Sequence, residues 1–210
     1  MSHFYYFCAQ NYLYKYMDIA IENHPFEPFV PINAKILMLG TFPPKAEKWS
    51  MNFFYPNWIN DMWRIMGIVF YDDPQHFVKA NEKAFDLEMI KQFLCQTGIA
   101  LFDTAQRVRR LKDNASDKFL DIVERVDLEG ILTAHPTITA VVTTGEKAAT
   151  VVAEITGSEL PKMGESCMVE FCGKMLTHYR MPSSSRAYPM NIRKKAEFYR
   201  SMLVKNDIHL

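Results

Sequence analysis

Three short runs of the chain are continuously apolar and close on a small or polar residue: KILMLG at 35–40, GIALFD at 98–103 and ITAVVTT at 138–144. Each is too short for a helix, and the branched side chains fit strands buried on both faces of a parallel sheet. A fourth stretch, 168–181, breaks at Cys172-Gly173; its second half alternates through Met175, Thr177 and Tyr179, which predicts a turn feeding a last strand that ends at Met181. Helical patterning covers 61–66, 86–96, 119–132, 146–155 and 191–204. The alternation predicts an α/β fold: a three-layer sandwich with a central, mostly parallel four-stranded sheet and helices on both faces. One domain spanning 1–210 is expected, with 1–34 as an extension packed on it and an added helix at 4–16.

Right-handed crossovers bring the C-terminal ends of parallel strands to one edge, where open α/β sheets bind ligands. The residues to interrogate therefore follow each strand: Gly40, Thr41, Phe42, Pro43 and Pro44; Asp103 and Thr104; Thr144 to Lys147; Met181, Pro182, Ser183, Ser184, Ser185 and Arg186. The first loop is a rigid ledge, with glycine allowing close backbone approach and prolines fixing the path. It contains neither GxGxxG nor GxxxxGK[ST], so a dinucleotide or P-loop site is a poor match. Phe53 to Arg64 interleaves aromatics and amides ahead of a helix, a mixture able to stack on a planar ring or, equally, to cap the helix and fill its core.

With 49% hydrophobic and 13% aromatic residues the chain can bury a sizeable core. Its formal net charge is zero, so a polyanion would have to be held by a local patch. Such a patch is legible: 174–205 carries eight basic residues against Glu197 alone, whereas 113–130 holds six acids and two bases. A basic segment beginning at a Ser-rich strand end suits phosphate contact, and suits a solvated helix face as well. No apolar run is long enough to cross a bilayer, and the N-terminal residues do not look like a secretory signal. Cys8, Cys95, Cys167 and Cys172 form no CxxC pair, which fits a reducing cytoplasm better than a disulfide framework.

Five segments in order, ILMLGTFP from Ile36, FYPNWINDMWRIM from Phe54, GIALFD from Gly98, VTTGEKA from Val142 and MPSSS from Met181, resemble the uracil-DNA glycosylase superfamily, most nearly its hypoxanthine-DNA glycosylase-like branch. The resemblance begins at about Ile36 and runs toward the end of the chain. It implies a monomeric, monofunctional base-excision repair enzyme without metal or other cofactor, whose partner is DNA carrying a deaminated base such as uracil, hypoxanthine or xanthine. The base would be flipped out of the stack and its N-glycosidic bond hydrolysed.

On this resemblance Asn60 positions the water, with Asp61 and Asp103 as reserve carboxylates. Gly40, Thr41, Phe42, Pro43, Phe54, Tyr55, Phe102 and Met181 would hold the base. Lys45, Lys147, Pro182, Ser183, Ser184, Ser185 and Arg186 would hold DNA. Phe42 stands where other branches carry Asp or Asn, and Met181 where many carry a histidine. An amide polarises water more than it deprotonates it, so slow turnover is expected. Arg186 or Tyr188 is the candidate wedge for the vacated stack. His178 lies three residues before Met181 and so on the opposite face of its strand.

Three other readings compete. A cysteine-bound cluster lacks paired short spacings, and a serine hydrolase built on Ser183, Ser184 or Ser185 with His178 lacks a GxSxG elbow. The third is a catalytically idle DNA-binding relative, favoured by Phe42 and Met181.

Overall fold

The computed structural model describes residues 19–112 and 117–210. The expected helix at 4–16 and the thiol of Cys8 lie outside the described residues.

The three apolar runs form strands β2 (Ile36–Gly40), β3 (Ile99–Asp103) and β6 (Ala140–Thr144), every residue of which is buried. They pair in parallel, with Gly40 opposite Asp103 and Leu39 opposite Thr143. Beside β6 lies β8 (Lys174–Met181), also parallel, with Thr144 opposite Met181. Burial on both faces is why no polar alternation is visible in these runs.

The central sheet has five strands, not four. Met168 and its neighbours belong to a strand of their own, β7 (Ser166–Phe171), antiparallel to β8 across the turn at Cys172-Gly173, where both residues adopt positive φ. The order is β3-β2-β6-β8-β7.

A second departure concerns 119–132, expected as one helix. It divides into β5 (Leu120–Arg125) and a short helix, α3 (Leu128–Ala134), whose Asp127 side chain accepts from the Gly130 N–H. β5 joins β4 (Ala105–Arg110) and β1 (Ile21–Asn23) in a separate antiparallel sheet ordered β1-β4-β5. The charged positions that read as a helix face are cross-strand ion pairs, Arg109 with Asp121 and Arg107 with Glu124.

The remaining helices are α1 (Met62–Tyr71), α2 (Leu87–Thr97), α4 (Glu146–Thr156) and α5 (Ile192–Lys205), with α1 packed on α5. Among the described residues no helix is long and apolar enough to cross a membrane. Cys95, Cys167 and Cys172 are free thiols, and no group of three or more potential metal ligands occurs among the described residues.

Candidate active site

Parallel pairing brings Gly40, Asp103, Thr144 and Met181 to the ends of four adjacent strands. At one end of this rim, on the outermost strand β3, is the Asp103 carboxylate. It lies over Gly40, where a Cβ would stand 2.4 Å from its Oδ1. Only a glycine leaves the space. The Tyr55 hydroxyl is adjacent and shares a 3.2 Å hydrogen bond with Thr144 Oγ1. Tyr55 holds a left-handed backbone conformation, φ 50°, uncommon for an aromatic residue and a kind of strain that clusters at functional sites.

The other oxygen of Asp103 is held by a residue that the motif pattern did not single out. His24 follows β1, whose pairing with β4 carries it inward, and its Nε2 lies 2.9 Å from Asp103 Oδ2. The imidazole is sealed from solvent among the rings of Phe26, Phe42, Phe54 and Phe102. Burial pushes the Asp103 carboxyl above its ordinary pKa, opposed by the His24 hydrogen bond and charge and by the Gly40 backbone. Burial, with Asp103 nearby, drives Tyr55 far above the usual phenol range, so it remains a hydrogen-bond donor.

Thr41 donates to Asp117, whose carboxyl is likewise raised by burial and lowered by Thr41 and Lys147. Lys147 donates to the carbonyls of Asp117 and Leu120, so its ammonium fastens the start of β5. Gly145, at φ 108°, starts α4 beside Ser183. Here a cleft of about 660 Å³ is lined by Gly145, Glu146, Lys147, Thr150, Ser183 and Asp117, among others. Lys45 lies at a smaller groove of about 340 Å³, with Phe42, Pro43 and Trp49.

Asn60 and Asp61 sit against the Ser-rich loop instead of Asp103. The Asn60 backbone bridges Ser185, and its Oδ1 accepts from the Met62 N–H at the start of α1. The Asp61 N–H donates to the Ser184 carbonyl, and its carboxylate accepts from Arg186 Nε at 2.7 Å. Arg64 supports this corner, stacked 4.1 Å from the Trp58 ring and donating to the Trp58 and Asn60 carbonyls. From the other side Lys195, 1% exposed, donates to the Ser185 carbonyl and Tyr199 to that of Pro182. The loop is thus fastened through the carbonyls of residues 182, 184 and 185.

Of the expected base-holding side chains, Phe54 and Phe102 are each 2% exposed and Met181 is 1% exposed. They build the wall behind the rim, while Phe42 is only half-buried. His178 has its ring nitrogens toward Thr143 and Ser158, away from the serines of the loop. Several cations of the basic C-terminal segment are engaged within the protein: Lys174 donates to the Leu132 and Ile138 carbonyls, Arg180 pairs with Glu146 and Arg200 donates to the Ile68 carbonyl.

The chain shares its fold with a candidate uracil DNA glycosylase of Methanosarcina acetivorans. The solution NMR structure of that protein superposes with a TM-score of 0.58 at 20% sequence identity, covering 87% of this chain and 99% of the other. No family model matches the sequence, and no curated protein matches it by sequence.

Proposed function

We propose that the protein is a monofunctional DNA N-glycosylase of base-excision repair, acting on a deaminated base such as uracil, hypoxanthine or xanthine. The observation that carries this reading is the continuous rim from the buried Asp103 carboxylate, through Tyr55 and Thr144, to Gly145, Ser183 and the fastened 182–186 loop. The likeness of fold and the five ordered motifs support it.

Hydrolysis of an N-glycosidic bond builds positive charge on the sugar and negative charge on the departing base. A carboxylate beside the sugar stabilises the first and accepts a proton from the attacking water. Hydroxyl and backbone donors stabilise the second. We assign the water to Asp103, because the Asn60 amide oxygen is occupied at the start of α1 and Asp61 is paired with Arg186. Tyr55, kept protonated, donates toward the base. Ser183, Ser185 and Arg186 contact the DNA backbone, whereas Ser184, 3% exposed, serves the loop through its carbonyl. Extruding a base costs a few kcal/mol, which these backbone contacts and the pocket offset.

A second reading, an idle DNA-binding relative, is favoured by the sealed positions of Phe54, Phe102 and Met181. One assay separates the two. Duplexes holding uracil, hypoxanthine or xanthine are incubated with the protein and treated with alkali. Strand breaks that disappear in Asp103→Asn support the enzyme, and persistence in Asp103→Asn with loss in Asn60→Ala transfers the water to Asn60. Salt-sensitive binding without breaks supports the idle relative.

A further inference from the structure

The two oxygens of Asp103 are held differently. Oδ1 lies against Gly40, and Oδ2 is met by His24 Nε2 at 2.9 Å. That histidine is not part of the rim; it directly follows the short strand β1 of the other sheet. Its Nδ1 lies 2.8 Å from the Phe26 carbonyl oxygen and 3.2 Å from the Phe26 N–H. This fixes the ring from behind. A neutral ring can accept from the Phe26 N–H and a charged ring can donate to the Phe26 carbonyl, and in both Nε2–H remains on Asp103.

We infer that His24 is a positioning residue of this site: through its Nε2–H it holds the Asp103 carboxylate over Gly40, so that the N-terminal segment completes the reacting centre. This rests on the glycosylase reading for the reaction that Asp103 serves, while the His24–Asp103 coupling stands on geometry. The arrangement resembles the orienting half of a hydrolase triad with the roles reversed, the imidazole orienting the carboxylate.

Among the described residues the groups that face Asp103 are few. They are His24, the Tyr55 hydroxyl, the Gly40 backbone and, at longer range, Asp117, which is itself moderated by Thr41 and Lys147. Arg110 lies over the Phe42 ring and pairs with Glu22. Of these, His24 is the one whose hydrogen bond and charge both favour the ionised carboxylate. Removing it makes the carboxyl harder to ionise, so the acid limb of the rate profile moves to higher pH. A purely structural histidine would lower the plateau and leave the limb where it was.

The test compares wild type, His24→Ala and His24→Gln, the last placing an amide N–H where Nε2 stood. Single-turnover cleavage of a uracil or hypoxanthine duplex is followed from pH 4.5 to 9, with thermal melts to verify folding. His24→Ala is expected to lose about tenfold or more in rate at neutral pH, the worth of a charge-assisted hydrogen bond. Its acid limb should move up by about one unit with the KM for DNA little changed. His24→Gln should recover most of the rate and return the limb. A folded His24→Ala with an unmoved limb overturns the inference, as does a limb shift that His24→Gln shares in full.

Should His24→Ala fail to fold, or wild type cut none of the duplexes, the decision passes to the ¹⁵N shifts of the His24 ring in wild type and Asp103→Asn, without DNA. Nε2 shifts that respond to Asp103→Asn support the coupling; shifts that do not respond overturn it. Absence of cleavage by wild type counts against the glycosylase reading alone.

Discussion

A Cβ on Gly40 would stand 2.4 Å from Asp103 Oδ1, closer than any real Cβ contact, so the two residues are compatible only because one of them has no side chain. Gly40→Ala should therefore displace the carboxylate from the rim. We expect a loss of about 1–3 kcal/mol, as for other overpacked positions, together with loss of cleavage. Urea unfolding checks the first, and a double-mutant cycle isolates its cause: the penalty should shrink when Asp103→Ala removes the oxygen that is struck.

Asp103 itself should weaken the fold at neutral pH. Its carboxyl pKa is raised by burial, so between the ordinary value of 3.8 and the raised one the native state binds more protons than the unfolded chain. Stability is full below that window and declines as pH rises through it. Asp103→Asn removes this pH dependence, and it should melt at or above the wild-type temperature at pH 7 while losing about 100-fold or more in cleavage. At pH 3.5 the two proteins should melt alike. An Asn variant clearly less stable at pH 7 would show that the ionised group supports the fold.

How much of this was legible from residues alone divides along physical lines. The strands that are buried on both faces, β2, β3 and β6, announce themselves because an uninterrupted branched run has few other uses. The sheet edge and its loops follow from chain direction. β5 resembles a helix in sequence because Asp121, Glu124 and Arg125 mimic a polar helix face, and only pairing with β4 distinguishes the two. β7 is hard to see in the sequence because it is an edge strand whose alternation stops at the turn. His24 carried no motif spacing, and its role depends on β1, three residues long, meeting β4 some eighty positions later. Asn60 matched a motif by type, but its partner in the fold, the Met62 N–H, is a local backbone group that type alone does not reveal.

That local bond makes a separable prediction. Asn60→Ala removes the acceptor of the Met62 N–H just ahead of α1 and should cost about 1 kcal/mol, the usual net worth of a hydrogen bond. Asn60→Asp retains the acceptor and should restore the stability. If Asn60 serves only the helix start and the loop, cleavage follows stability across the two variants; if it orients water, Asn60→Asp remains impaired with stability restored. Melting curves and single-turnover rates on the same preparations give the answer.

His178 tests the interior away from the rim. It is fully buried, with Thr143 and Ser158 at its ring nitrogens, and burial lowers its pKa from 6.5 to about 4. The unfolded chain therefore binds a proton between pH 6.5 and about 4 that the native state refuses. Stability is full above pH 6.5, falls as the medium becomes more acid through that interval, and levels off below it. The interval corresponds to on the order of 3 kcal/mol. Chemical unfolding of wild type at pH 7 and pH 4.5 should show most of this loss, whereas His178→Gln should be flatter over the same range. An equally steep decline in both proteins would place the acid sensitivity elsewhere, with Asp103 working against it, since that carboxyl gains stability as it protonates.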